Sequence, residues 1–165
     1  MQYIFLVETT QKCKSDELYI KSFINNFYSY PGDKLTFEYM NGKTNFDRFD
    51  NKIQTDINKY KGKTVVFICY DIDNPKDATV YAKNKKINEE IENYAKKNNY
   101  ETIWFNPDIE NVFIGKNVSN DLKKKTAENF YKKDFVKCIK NSSLNNNSNI
   151  KITLDKYLIL KVEME

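Results

Sequence analysis

The stretch TVVFICYDIDNP, residues 64–75, decides the fold. It begins with a continuous run of β-branched, aromatic and other apolar residues, and it ends with two acids and a proline. Such a run is typical of a strand that is buried on both faces, as in a parallel sheet. In an open parallel α/β sheet, ligands bind in the crevice beyond the carboxyl ends of the strands. We therefore expect Asp71 and Asp73 to lie at a binding site.

The spacing of these two acids favours a metal ligand pair. Side-chain direction repeats every second residue in extended backbone, so acids at positions i and i+2 place both carboxylates on one side. We expect Asp71 and Asp73 to share one hard cation.

A second continuous apolar run, YIFLV at residues 3–7, ends in the same way, at Glu8. Segments with apolar residues at helical spacing lie between most of the apolar runs. The predicted order of elements is therefore β-α-β-α-β-α-β-α-β. The segment 34–40 alternates between apolar and polar residues and is expected near a sheet edge. This order predicts an α/β fold of the Rossmann-like type, with three layers and a mainly parallel sheet flanked by helices.

The length of 165 residues predicts one domain spanning residues 1–165. Residues 141–149 are rich in Asn and Ser and are expected to form a mobile loop. The remaining segment, residues 150–165, alternates and then becomes continuously apolar, so we expect it to supply one or two closing strands.

Composition excludes several kinds of chemistry. The chain contains no histidine, which removes imidazole bases, the usual zinc ligands and triads that need an imidazole. The formal net charge of +4 permits a nucleic-acid partner. Arg48 is the only arginine, which disfavours recognition of guanine by paired arginine contacts.

The sequence predicts a protein of the reducing cytoplasm with no membrane association. Cys13, Cys69 and Cys138 are widely spaced, which indicates neither a disulfide framework nor a zinc site. Residues 3–7 are too few for the apolar core of a signal peptide, and no later run approaches membrane-spanning length.

Carboxylates must carry any acid–base or metal chemistry here. Glu8, Asp71 and Asp73 all follow apolar strands, and Glu110 begins a helix after the next strand, so one crevice can collect all four. Carboxylate oxygens suit Mg²⁺ or Mn²⁺, and a bound metal of this kind supports phosphoryl transfer or phosphodiester hydrolysis. The alternative is that the aspartates form turns or cap helices and that Glu110 stabilises a helix dipole.

The placement of Glu8 after the first strand, and of Asp71 and Asp73 after a strand two crossovers later, resembles the Toprim domain. This domain is shared by topoisomerases, primases and overcoming-lysogenization-defect-type nucleases. Residues 105–113 (FNPDIENVF) resemble the RloB-like proteins of bacterial defence loci. The resemblance covers residues 3–114 and implies a Mg²⁺-dependent nuclease. It further implies that Glu8 is the general acid or base and that Asp71 and Asp73 hold the metal.

The sequence departs from these families at two places. Thr9 stands where Toprim domains usually have glycine, and Gly115 and Lys116 stand where RloB-like chains usually have histidine. A catalytically degenerate Toprim-like adaptor is therefore the alternative function. A flavodoxin-like or receiver-like domain is a third interpretation, disfavoured by the lack of a phosphate loop and by Glu8 in place of an acidic pair.

The charge of the chain and the resemblance each predict a kind of binding partner. Lys76, Lys83, Lys85 and Lys86 lie near the predicted acidic edge and can hold a phosphate backbone, the alternative being a solvated lysine face. The small size of the domain and the resemblance to defence systems imply a partner, such as an ATPase or another defence subunit.

Overall fold

A computed structural model describes residues 1–139 and 141–161. The strands are β1 (Gln2–Val7), β2 (Tyr28–Ser29), β3 (Lys34–Tyr39), β4 (Thr64–Asp71), β5 (Glu101–Phe105) and β6 (Ile159–Leu160). The helices are α1 (Ser15–Phe27), α2 (Asp50–Lys59), α3 (Ala78–Asn98), α4 (Ile109–Ile114), α5 (Lys123–Lys132), α6 (Asn141–Asn147) and α7 (Ile150–Leu154), with 3₁₀ helices over Lys43–Arg48 and Phe135–Cys138.

A parallel four-stranded sheet in the order β3-β1-β4-β5 forms the centre of the fold. The predicted α/β fold with a parallel sheet and flanking helices is confirmed at this level, and β3 lies at an edge as expected. β2 and β6 form a separate antiparallel pair. No helix of the described ranges is long and apolar enough to cross a membrane.

The alternation of side chains along the strands builds a core on each face of the sheet. On one face, Phe5 stacks on Phe37 and Phe67, with ring centroids 5.1 and 4.7 Å apart. This core continues into α1 and α4 to α7. On the other face, Ile4 and Ile68 pack with α2 and α3. Burial on both faces explains why β1 and β4 are continuously apolar.

The loop predicted for residues 141–149 was wrong, and the strands predicted for residues 150–165 were right only at β6. Residues 141–149 were expected to form a loop, but α6 covers most of them and Leu144 is fully buried. Residues 150–165 were expected to supply closing strands, but they begin with α7, and only β6 is a strand within the described part. Residues 162–165 lie outside the described residues. Burial of Leu144, Ile150 and Leu154 against the core overrides the local polar composition.

The segment between α6 and α7 covers the outer edge of β5. Ser148 Oγ donates to Trp104 O at 2.7 Å. Trp104 N donates to Asn149 Oδ1 at 2.8 Å, and Asn149 Nδ2 donates to Thr102 O at 2.9 Å. The Asn149 side chain thus forms hydrogen bonds with backbone N–H and C=O groups that an exposed edge strand would offer to a strand of another chain.

We predict that Asn149→Ala lowers the free energy of unfolding by about 1–3 kcal/mol, because it leaves a donor and an acceptor of β5 without partners. The matched control, Asn146→Ala, changes an exposed residue of the same type and should stay within about 0.5 kcal/mol of the wild type. Urea unfolding followed by the fluorescence of the single tryptophan, Trp104, measures both variants. Equal effects would show that Asn149 does not support β5.

Candidate functional site

The carboxyl ends of β1 and β4 bring Glu8 and Asp71 together. The parallel register pairs Leu6 with Ile68, so Glu8 lies beside the end of β4. Glu8 Oε1 accepts a hydrogen bond from the backbone N–H of Asp71 at 2.7 Å. Two acids that are 63 residues apart in sequence are thus in direct contact.

The two aspartates after β4 point to different partners. Asp71 Oδ1 accepts from the backbone N–H of Ile109 at 3.0 Å, which ties it to the first residue of α4. Asp73 has a φ of 54°, in the left-handed region, and its N–H donates to Pro107 O at 2.9 Å. The assumption that the backbone stays extended through Asp73 was therefore wrong, because the chain turns to meet the loop after β5.

Lys43 supplies a positive charge between these two residues. It begins the 3₁₀ helix that follows β3, and only 6% of its surface is exposed. Its ammonium donates to Asp71 O at 2.5 Å and to Asp73 Oδ2 at 2.7 Å. This buried lysine holds the chain after β4 in its turned conformation.

Two further acids lie close to Asp71. Asp16, in the first turn of α1, is 7% exposed and accepts hydrogen bonds from Thr9 N and Ser15 Oγ, both at 3.2 Å. Glu110, in the first turn of α4, is 1% exposed and pairs with Lys123 of α5 at 3.2 Å. We call Glu8, Asp16, Asp71, Asp73 and Glu110 together the acid cluster.

Burial and mutual repulsion raise the pKa values of most of this cluster. Burial raises the pKa of Glu8 to about 8, against the lowering effects of the Asp71 N–H and of Lys43. Burial also raises the pKa of Asp16 to about 6, and the charge of Glu110 adds to this effect. The pKa of Asp71 is raised by burial and then by the charges of Glu8, Asp16, Glu110 and Asp73. These acids therefore keep their protons to higher pH than exposed carboxyl groups do.

The second lysine of the site, Lys123, partly offsets these effects. Burial raises the pKa of Glu110, although Lys123 acts in the opposite direction. Burial alone would lower the pKa of Lys123, but Glu110, Asp71 and Asp16 raise it above its usual value. Lys123 therefore stays charged beside the acids.

The donor chemistry of the cluster fits a hard divalent cation, although its present arrangement does not enclose one. In the described part of the chain, no three Asp, Glu or Cys side chains are placed to hold a metal together. Glu110 Oε1 is buried without a hydrogen-bond partner among the described residues, and such an atom is costly unless a ligand satisfies it. The burial of several carboxyl groups with raised pKa values and the unpartnered oxygen are features that a bound Mg²⁺ would relieve.

The lysines predicted to bind nucleic acid lie on the surface. Lys76 precedes α3, and Lys83, Lys85 and Lys86 lie in its first half. All four are exposed, and Lys86 makes a weak pair with Glu90 at 3.9 Å. Their role in binding stays a prediction.

Sequence reasoning missed Asp16, Lys43 and Lys123. Asp16 could have been found by the rule that selected Glu110, because the helix after a parallel strand also begins at the carboxyl edge of the sheet. Lys43 begins the 3₁₀ helix after β3, at the same edge, and offered a weaker signal. Lys123 follows no strand of the sheet, so nothing in the sequence pattern pointed to it.

Comparisons of this chain with known protein families, with curated proteins and with solved structures found no match.

We predict that stability falls as the pH rises from about 5 to 8. The folded pKa of Glu8 lies above its ordinary value of 4.5, so the folded state binds more protons than the unfolded state over this range. Stability is therefore fully present below the ordinary pKa and is lost as the pH passes through the folded pKa. Glu8→Gln keeps the shape of the side chain and the acceptor for Asp71 N but removes the charge.

At pH 8, Glu8→Gln should be more stable than the wild type by about 1–3 kcal/mol, and the gain should shrink at pH 5. Urea unfolding at the two pH values measures this difference. Glu89→Gln, on the exposed face of α3, is the control and should follow the wild type at both. A gain that is independent of pH would contradict the explanation.

We predict that Lys43→Met lowers the free energy of unfolding by about 2–4 kcal/mol, because it leaves the Asp71 carbonyl and Asp73 without their buried cation. The control is Lys156→Met, which breaks the 3.0 Å pair with Glu101. Because Lys156 is half exposed, this change should cost about 1 kcal/mol or less. Similar losses in urea unfolding would mean that Lys43 is an ordinary surface partner.

Proposed function

We propose that the protein is a Toprim-like, metal-dependent phosphodiester hydrolase or phosphotransferase that acts on nucleic acid. The observation that carries this proposal is the acid cluster at the carboxyl edge of the parallel sheet. Its carboxylates come from separate segments of the chain and repel one another. Natural proteins keep such costly arrangements mainly at functional sites.

The proposed roles follow from the environment of each acid. Glu8 contacts the end of β4 through the backbone N–H of Asp71 and would serve as general acid or base. Asp71 and Asp73 would hold Mg²⁺ or Mn²⁺ together with Glu8, and Glu110 would contribute its unpartnered oxygen. When bound, such a metal polarises the phosphoryl group and lowers the pKa of a water molecule.

The two lysines of the site have a complementary role in this proposal. Lys43 and Lys123 neutralise part of the carboxylate charge, which would otherwise repel a phosphodiester. Their ammonium groups are also suited to bind the phosphoryl oxygens of the substrate. The site would thus offer both a proton-transfer group and positive charge to the scissile phosphate.

The biological setting is proposed from the resemblance in the sequence. It favours a role in bacterial or phage defence, in which an ATPase or another defence subunit acts as partner. We propose a cytoplasmic location, since Cys13 and Cys69 are free thiols.

The second candidate function is that of an adaptor that keeps the fold without catalysis. The observation that favours it is the arrangement of the acids, which in the described part do not converge on a metal. Lys43, already bound to Asp73, would then keep that carboxylate from taking part in catalysis.

A metal titration tests the proposal. Addition of Mn²⁺ or Mg²⁺ at 10-fold above the dissociation constant should raise the stability of the wild type by about 1.4 kcal/mol. The double variant Asp71→Asn/Asp73→Asn should show no such gain. Glu89→Gln/Glu90→Gln also removes two negative charges, from the exposed face of α3, and should retain the metal response of the wild type.

Cleavage of plasmid and of single-stranded DNA, measured on the wild type and on both double variants, separates the two functions. The proposed enzyme cleaves in a metal-dependent manner and loses this activity in the aspartate double variant. Metal stabilisation without cleavage favours the adaptor. If the metal changes neither stability nor cleavage, the proposed metal site is wrong.

A further inference from the structure

The loop between β1 and α1 is flanked by two hollows that are lined by lysines. The first has a volume of about 600 Å³ and includes Lys12, Lys14 and Lys124 in its walls, with Glu128 as its single acid. Its positive side chains come from the loop and from the start of α5. All three lysines are exposed to solvent.

The second hollow lies on the other side of the same loop and has a volume of about 420 Å³. Lys12 and Gln11 line both hollows, so the two are contiguous. Tyr39 and Lys52 also line the second hollow, where the Lys52 ammonium is paired with the buried Glu38. We call Lys12, Lys14 and Lys124 the lysine track.

The charges at the start of α5 are unfavourable for the helix itself but suit an anion on the track. Three consecutive lysines, Lys123 to Lys125, occupy its first turn, which contains no acid and has no side-chain cap. Positive charge at a helix N-terminus is unfavourable because the helix dipole is positive there. A bound anion would remove this penalty, since it would meet both the lysines and the positive end of the dipole.

The track lies next to the acid cluster. Lys123, which pairs with Glu110, is the neighbour of Lys124 in the chain. Lys14 lies two residues before Asp16. An anionic strand on the track would therefore run along the acid cluster rather than away from it.

We propose that the lysine track binds the phosphodiester backbone of a nucleic-acid strand and leads it to the acid cluster. This inference rests on the proposed function for the chemical class of the ligand. Lysines bind phosphates as point charges and without reading sequence, and the chain has one arginine for base-specific contacts. The binding is therefore independent of sequence.

Tyr39 gives the track an aromatic surface. Its hydroxyl donates to Glu17, which fixes the ring, and the Lys14 ammonium lies 5.9 Å from the ring centroid. A ring held in a basic hollow can stack on a base while the lysines bind the adjacent phosphates. This feature favours a single strand with unpaired bases.

Binding of a fluorescently labelled 20-nucleotide oligothymidine, followed by anisotropy in EDTA, tests the proposal without metal or cleavage. The test variant is Lys12→Gln/Lys14→Gln/Lys124→Gln. The matched control is Lys59→Gln/Lys61→Gln/Lys63→Gln, which removes three exposed lysines before β4, at the opposite end of the sheet. Both variants lose the same net charge.

The track variant should bind at least about 10-fold more weakly, and the slope of log affinity against log salt should fall by about 2. The control should stay within about 2-fold of the wild type. A wild type that does not bind, or equal losses in both variants, would overturn the proposal. A larger loss in Lys83→Gln/Lys85→Gln/Lys86→Gln would overturn it in favour of α3.

Two further outcomes separate this inference from others. Displacement of the oligonucleotide by poly-glutamate at equal charge concentration would show an acidic-protein surface and overturn the nucleic-acid assignment. Binding through the track by a protein that does not cleave supports this inference while it contradicts the proposed enzyme.

Discussion

The contact between the Glu8 carboxylate and the backbone N–H of Asp71 is the interaction on which the site depends. It forms because β1 and β4 are adjacent parallel strands whose register places Glu8 beside the last residues of β4. The contact lies where there is little water, so burial raises the pKa values of Glu8 and Asp71, and repulsion by neighbouring acids adds to this effect. Lys43 and Lys123 reduce this repulsion from two sides. The geometry of the sheet edge thus determines which charges the site must balance.

Much of the sheet could be predicted from the sequence because its strands are buried on both faces. The continuous apolar runs of β1 and β4 reflect cores on either side, and the acids that end them mark the carboxyl edge. The C-terminal helices could not be predicted in this way. In α6 the local composition is polar, and Leu144 is buried through contacts with distant parts of the chain. Periodicity and composition report local preference, whereas these helices depend on tertiary packing.

Prediction of the site from the sequence has the same limit. The acids that follow strands could be found from the sequence, since the end of each strand fixes their position. The turn at Asp73 could not, because it depends on the hydrogen bond to Pro107 O and on the ammonium of Lys43. Lys123 reaches Glu110 from a helix beyond the last strand of the main sheet. Charge balance in a buried site is set by such distant partners, which no spacing rule identifies.

Diffraction from crystals soaked in Mn²⁺, with an anomalous difference map, shows whether the acid cluster binds a metal. We expect an anomalous peak within about 2–2.5 Å of carboxylate oxygens from Glu8 and from Asp71 or Asp73. We also expect the Lys43 ammonium to move away from Asp73, since the metal takes over its charge. If the acid cluster shows no peak in crystals that remain ordered at saturating Mn²⁺, it is not a metal site.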